Sequence, residues 1–409
     1  MLNVDIFLAV IAIIIIIGYI SKFIFKLTKI PEVVILMLIG ISLGHLGNLL
    51  PQTYIATLNY VAPLFGTIAL ITIMFNSSKN IRFGDRASPV GIGLLLAVAD
   101  VLVVTIVMAV FMKAVFDWPL IYGAILGAIL GETTAIVVLP LINNLEINKD
   151  VYNMVLTEAT VNSAISILIF YLMISFLNGS AFTLSSYSFY IVSSLSIPIV
   201  IGAAIGLIWL YITNTVKWAN GYLPTIAIAL LLYSAVSSLN GSAIISVLVF
   251  AIILGNSGVI NEYIYKREPQ SKEEDNGLEE NLEFLIRTFF FVFIGIIAVI
   301  TVTYLAYALL ITAVLIILRY IEVIPIIRND KKVRGFVSSL VPRGLTVAVL
   351  STILYSSVGG TYPTQIFEIS FMVIIFTNII ASALISNSVR KMEKSQEEPV
   401  KSAENARYA

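Results

Sequence analysis

The sequence predicts an all-α polytopic membrane protein with about thirteen transmembrane helices. Three observations carry that reading. Of its 409 residues 59% are hydrophobic and only 12% charged, with a mean hydropathy of +1.00, too few polar residues to cover a soluble surface. The apolar residues fall in runs of bilayer-crossing length. Lysine and arginine collect in alternate connections between those runs. The same composition excludes other classes. Formal net charge is zero, and no basic patch or nucleic-acid motif stands outside the loops. No cysteine is present, which excludes disulfides and thiol catalysis. His45, within Gly44-His45-Leu46-Gly47, is the one histidine; a histidine metal site or a Ser-His-Asp triad would have to rest on it alone.

The first apolar run, from Ile6 to about Ile20, has no basic residue before it and Lys22, Lys26 and Lys29 after it. That is the reverse of a cleavable signal, so it reads as a first span with its N-terminus outside. A sliding hydropathy window then places spans near 4–24, 33–50, 55–76, 88–112, 119–142, 151–177, 187–213, 220–238, 242–260, 283–299, 302–326, 335–357 and 364–389. The run from Phe289 to Ile327 is about twice the length needed to cross a bilayer, so it is divided near Thr301-Val302-Thr303. Basic residues at 22–29, 79–86, 149, 217, 266–272, 328–334 and from 390 onward sort to one side, and Lys113 alone to the other. The positive-inside rule makes the first side cytoplasmic and leaves the C-terminus there.

This divides the chain into an N-terminal membrane half (1–265), an acidic cytoplasmic linker (266–282), C-terminal spans (283–390) and a tail (391–409) with the composition of disorder. Stretches 33–213 and 220–389 each hold six spans, as an inverted-repeat transporter would show.

The chemistry concentrates between Leu126 and Ile165. Gly131-Glu132-Thr133-Thr134 interrupts the fifth span; glycine and paired threonines weaken a helix, and a broken helix at the bilayer midplane exposes backbone groups that bind ions. Glu132 is the expected acceptor for a proton or cation, with Thr133 and Thr134 beside it. In the sixth span Glu158 and Asn162 share a helical face and Ser163 lies one step round; Asn and Ser oxygens suit a hard monovalent cation. Glu132 and Ser163 are the candidate Na+ ligands. A buried Glu158 needs a partner, and Arg319 in the eleventh span supplies one. Val341-Pro342-Arg343-Gly344 opens the twelfth span. It reads either as a second interruption, with the break there or deeper at Ser351-Thr352, or as an interfacial anchor through Arg343. Asp100 in the fourth span belongs to the pathway or pairs with a hydroxyl. Arg287 reads as interfacial, and Glu322 and Glu368 lie near span ends.

Together these residues resemble the monovalent cation/proton antiporters of the NhaP and sodium/proton exchanger superfamily. The resemblance covers about 30–390. It rests on the span count, the acidic break, Glu158-x-x-x-Asn162, Arg319, Phe289-Phe290-Phe291-Val292-Phe293-Ile294-Gly295 and Pro342-Arg343-Gly344. The family's Thr-Asp-Pro break stands here as Gly131-Glu132-Thr133. Its sixth-span Glu-Ser-x-x-Asn-Asp keeps Glu158 and Asn162 but has Ala159 and Ser163. A third-span acid of some members appears as Asn76. The resemblance implies two crossing discontinuous helices, a core moving against a dimerisation domain, and a homodimer.

The expected function is exchange of a monovalent cation, Na+ first, for protons across the cell membrane. The alternatives are a channel-like cation pathway or a non-transporting ion sensor; no nucleophile–base pair suggests an enzyme. No cofactor is expected beyond the transported ion, and the partners are cation, protons, lipid and a second copy. If Arg319 holds Glu158 neutralised, Glu132 is the single exchangeable charge and exchange is electroneutral.

Overall fold

The computed structural model describes residues 4–28, 30–46, 52–81, 87–134, 148–177, 184–216, 219–239, 241–265, 276–328 and 330–405. Among them every regular element is helical. In chain order the helices are α1 (Val4–Thr28), α2 (Glu32–Ile41), α3 (Gln52–Ser78), α4 (Ala87–Phe116), α5 (Leu120–Leu130), α6 (Lys149–Leu177), α7 (Leu184–Thr215) and α8 (Tyr222–Ser238). They continue as α9 (Ala243–Gly255), α10 (Ser257–Ile260), α11 (Asn276–Ile297), α12 (Val302–Ile326), α13 (Lys331–Ser338), α14 (Leu345–Ser357) and α15 (Thr361–Asn405). A π-helical turn, Ser42–Leu46, follows α2 and carries His45.

Seven of the described helices are long and apolar enough to cross a membrane. The count is eight if Ala243–Gly255 and Ser257–Tyr263, bent by 69°, form one span. Their outer faces suit lipid: Ile16 and Phe23 on α1 and Ile106 on α4 are each more than half exposed although apolar. The protein is a multi-pass membrane protein.

Local chemistry sets the helix ends. The long apolar run does divide at 298–301: Thr301 takes an extended backbone and its hydroxyl accepts the Tyr304 N–H (3.5 Å) to start α12. Asp330 caps α13 through the Lys332 and Val333 N–H groups (2.9 and 3.0 Å).

The helix boundaries differ from the expected ones in three places. Val341-Pro342-Arg343-Gly344 does not open the twelfth span; it lies between α13 and α14, because Pro342 has no N–H to continue a helix, and Ser351-Thr352 is helical within α14. Within the stretch 266–282 read as linker, residues 266–275 lie outside those described, and α11 begins at Asn276, with Glu279 and Glu280 in its favourable N-terminal region. The tail assigned to disorder continues α15 as far as Asn405. Arg287 is partnered: it meets Glu32 of α2 at 3.2 Å and Glu283 at 3.8 Å.

Around the site, α4 packs on α5 and α6, and α12 lies against α4 and α15. Helix α14 packs on α3 and α15 and touches α5 and α6. The end of α5 and the gap between α13 and α14 therefore meet in the middle of this group.

Candidate functional site

Glycine spacing brings α5 to its place. Gly123, Gly127 and Gly131 form one stripe against α4, where a Cβ would come within 2.9 Å of Ala109, Thr105 and Val101 respectively. Such close approach is the usual role of small residues between membrane helices. The stripe ends at Gly131, which closes the helix, and Glu132–Thr134 continue as buried non-helical backbone. The Thr134 N–H donates to the Pro342 carbonyl (3.1 Å), so the two interruptions are joined directly. Gly344 lies against the Thr134 side chain and leaves no room for a Cβ. On the other side, the Arg343 N–H donates to the Thr377 hydroxyl (3.2 Å), and Asn378 Nδ2 donates to the Arg343 carbonyl (2.7 Å). Backbone freed by the break is thus satisfied inside the protein, as the membrane interior requires.

Glu132 is 2% exposed. Its Oε1 accepts the Ser163 hydroxyl (3.0 Å), and the Thr346 hydroxyl and Gly344 N–H approach the same carboxylate. Its Oε2 has no hydrogen-bond partner. Beside it is a cavity of about 20 Å³ whose polar lining is Ser77, Glu132, Thr134, Thr160, Ser163 and Thr346; Leu70, Ile73, Met74, Ala159 and Leu345 close the rest. That volume admits one water-sized particle.

A separate charged cluster abuts this cavity. Arg319 Nη1 lies 2.5 Å from Glu158 Oε1 and 4.0 Å from Asp100 Oδ2, and all three groups are buried. Arg343, with no exposed surface, directs Nη1 to the Glu132 carbonyl (2.6 Å), the Thr133 hydroxyl (3.2 Å) and Asp100 Oδ2 (3.3 Å). Thr133 also donates to Asp100 (3.0 Å). Of the two readings of Arg343, the interfacial anchor is therefore the wrong one: the guanidinium caps the broken backbone. Asp100 has its hydroxyl, and it also bridges both arginines.

The remaining candidates sort by helical face. Residues 159, 160 and 163 of α6 line the cavity, and Glu158 turns to Arg319. Asn162 is fully buried, does not line the cavity, and has no hydrogen-bond partner for its amide. Thr133 is engaged by Asp100 and does not line the cavity either. Asn76 donates to Glu283 (2.7 Å) instead, while its neighbour Ser77 reaches the cavity. One residue of helical rotation, about 100°, separates Asn76 and Asn162 from their cavity-lining neighbours Ser77 and Ser163, whereas Thr133 lies on the non-helical backbone after α5. Ser77, Thr160, Thr346, Thr377 and Asn378 were not anticipated. Only Thr346, just beyond Pro342-Arg343-Gly344, carried a positional signal.

Comparison with known proteins decides the family. The model for the transmembrane sodium/hydrogen exchanger family matches residues 10–391. The chain belongs to that family. Its fold is shared with the sodium proton antiporter MjNhaP1 of Methanocaldococcus jannaschii, with a TM-score of 0.79 at 18% identity, over 95% of this chain and 99% of that one. The K(+)/H(+) antiporter NhaP2 of Shewanella sp. (strain MR-4) is 26% identical over 234 residues, 56% of this chain and 40% of the relative. Sodium/hydrogen exchanger 8 of Arabidopsis thaliana is 27% identical over 175 residues, 40% of this chain and 23% of that protein. The chain thus matches less than half the length of these curated relatives.

Proposed function

We propose that this exchanger-family protein carries one monovalent cation in exchange for one proton by alternating access, with Na+ or K+ as the cation. The observation that carries the reading is the separation of charges at the site. Asp100 and Glu158 are held by Arg319 and Arg343, whereas Glu132 faces the one-particle cavity with a free carboxylate oxygen. Either a proton or a monovalent cation neutralises Glu132, so the two compete for it. Around it are neutral hydroxyls, the hard oxygen ligands such a cation accepts. The family's second sixth-span acid stands here as Ser163. A site of one charge fits electroneutral exchange and a modest cation affinity that falls as pH falls.

The wider architecture follows the same reading. The thirteen spans, two inverted six-helix repeats, a core moving against a dimer contact, an external N-terminus and a cytoplasmic C-terminus are part of the proposal. It is supported by the basic-residue pattern and the joined interruptions. Proteoliposomes holding a pH gradient test the function. The gradient should dissipate when Na+ or K+ is added and persist with choline. Glu132→Gln should abolish that response, and a fully active Glu132→Gln would place the proton carrier elsewhere.

A further inference from the structure

We infer that Thr160 is a ligand of the transported cation. The inference rests on the antiport reading above and adds a residue to its site.

Hydroxyls inside membrane helices have a ready partner in the carbonyl four residues back. Thr157 uses it, donating to Asn153 (2.7 Å), as do Thr105 toward Val101 (2.6 Å) and Thr352 toward Ala348 (2.7 Å). Thr160 does not. Its side chain is 2% exposed, its Oγ1 has no hydrogen-bond partner, and it lines the cavity shared with Glu132 and Ser163. A buried hydroxyl left unmade is unfavourable, and it persists where something else supplies its partner. Thr160 and Ser163 are three apart on α6, so both oxygens front the same space opposite Thr346 of α14. A monovalent cation there would meet one carboxylate and several hydroxyl oxygens, which matches its single charge. Val, of nearly the same shape, lacks only the oxygen.

The test uses the purified full-length chain in detergent, with thermal unfolding followed against added NaCl, KCl and choline chloride. Thr160→Val should unfold at or above the wild-type temperature in choline, because an unsatisfied hydroxyl is gone. It should need about tenfold more Na+ or K+ for half-maximal stabilisation, and Thr160→Ser should restore the wild-type value. In proteoliposomes the same variant should raise the cation KM with maximal rate retained. A wild-type cation requirement in Thr160→Val overturns the inference, as does a fall in its stability in choline, which would mark a packing role. A wild-type protein with neither cation-dependent stabilisation nor exchange would instead overturn the antiport reading itself.

Discussion

Arg319 and Glu158 sit in contact with at most 1% of either side chain exposed, so each is the other's main compensation for leaving water. Removing one partner leaves an uncompensated buried charge. Glu158→Gln is expected to cost about 3–5 kcal/mol, read as a lower unfolding temperature in detergent. A variant as stable as wild type would mean that Asp100, 4.0 Å from Arg319, is the real counter-ion. This contact was legible because two costly charges, each buried in its own apolar run, have few other ways to cancel. The cavity hydroxyls were not. Threonines recur through the spans, and most spend their hydroxyl on their own helix, so nothing in the sequence separates Thr160 from Thr157. Depth was equally hidden at Arg343. A long side chain near a span end can snorkel or turn inward, and the contacts with Asp100 and the Glu132 carbonyl that hold it inside come from remote helices.

Among the elements, the junction of the two interruptions has no room for added bulk. Gly344 faces the Thr134 side chain with no space for a methyl group, while Thr134 N–H bonds the Pro342 carbonyl. Gly344→Ala should therefore abolish exchange while circular dichroism still shows a helical protein, and Thr134→Gly should recover part of it by vacating the contested volume. Absence of any rescue would mean that the added methyl acts elsewhere than against Thr134. The interruption at Glu132 was readable from Gly131-Glu132-Thr133-Thr134, because its glycine and paired threonines weaken a helix locally. So was the division near Thr301, since bilayer thickness demands it. The second interruption was readable at Val341-Pro342-Arg343-Gly344, but the helix before it was not. A hydropathy window averages over α13, whose Lys331, Lys332 and Arg334 mask it as a loop, so Pro342 appeared to start a span that it actually divides.

For the whole molecule, the arrangement separates arginine-paired carboxylates from the one that faces the cavity. Asp100, Glu158, Arg319 and Arg343 form a bonded scaffold, and Glu132 alone lines the one-particle cavity as an acid. Glu322 of α12, three residues from Arg319, is 7% exposed and has neither carboxylate oxygen hydrogen-bonded. On the proposed mechanism cation and proton share Glu132, so apparent cation affinity should fall as the pH is lowered, measurable as a rising KM in proteoliposomes. The most direct test of the single-site account is the coupling ratio. Cation and proton gradients of known size are opposed across the proteoliposome membrane, the potential is clamped, and the condition of zero net flow is found. The account predicts no flow when the two concentration ratios are equal, at every potential. A null point that moves with potential would show that more than one charge accompanies each cation, contradicting exchange through Glu132 alone.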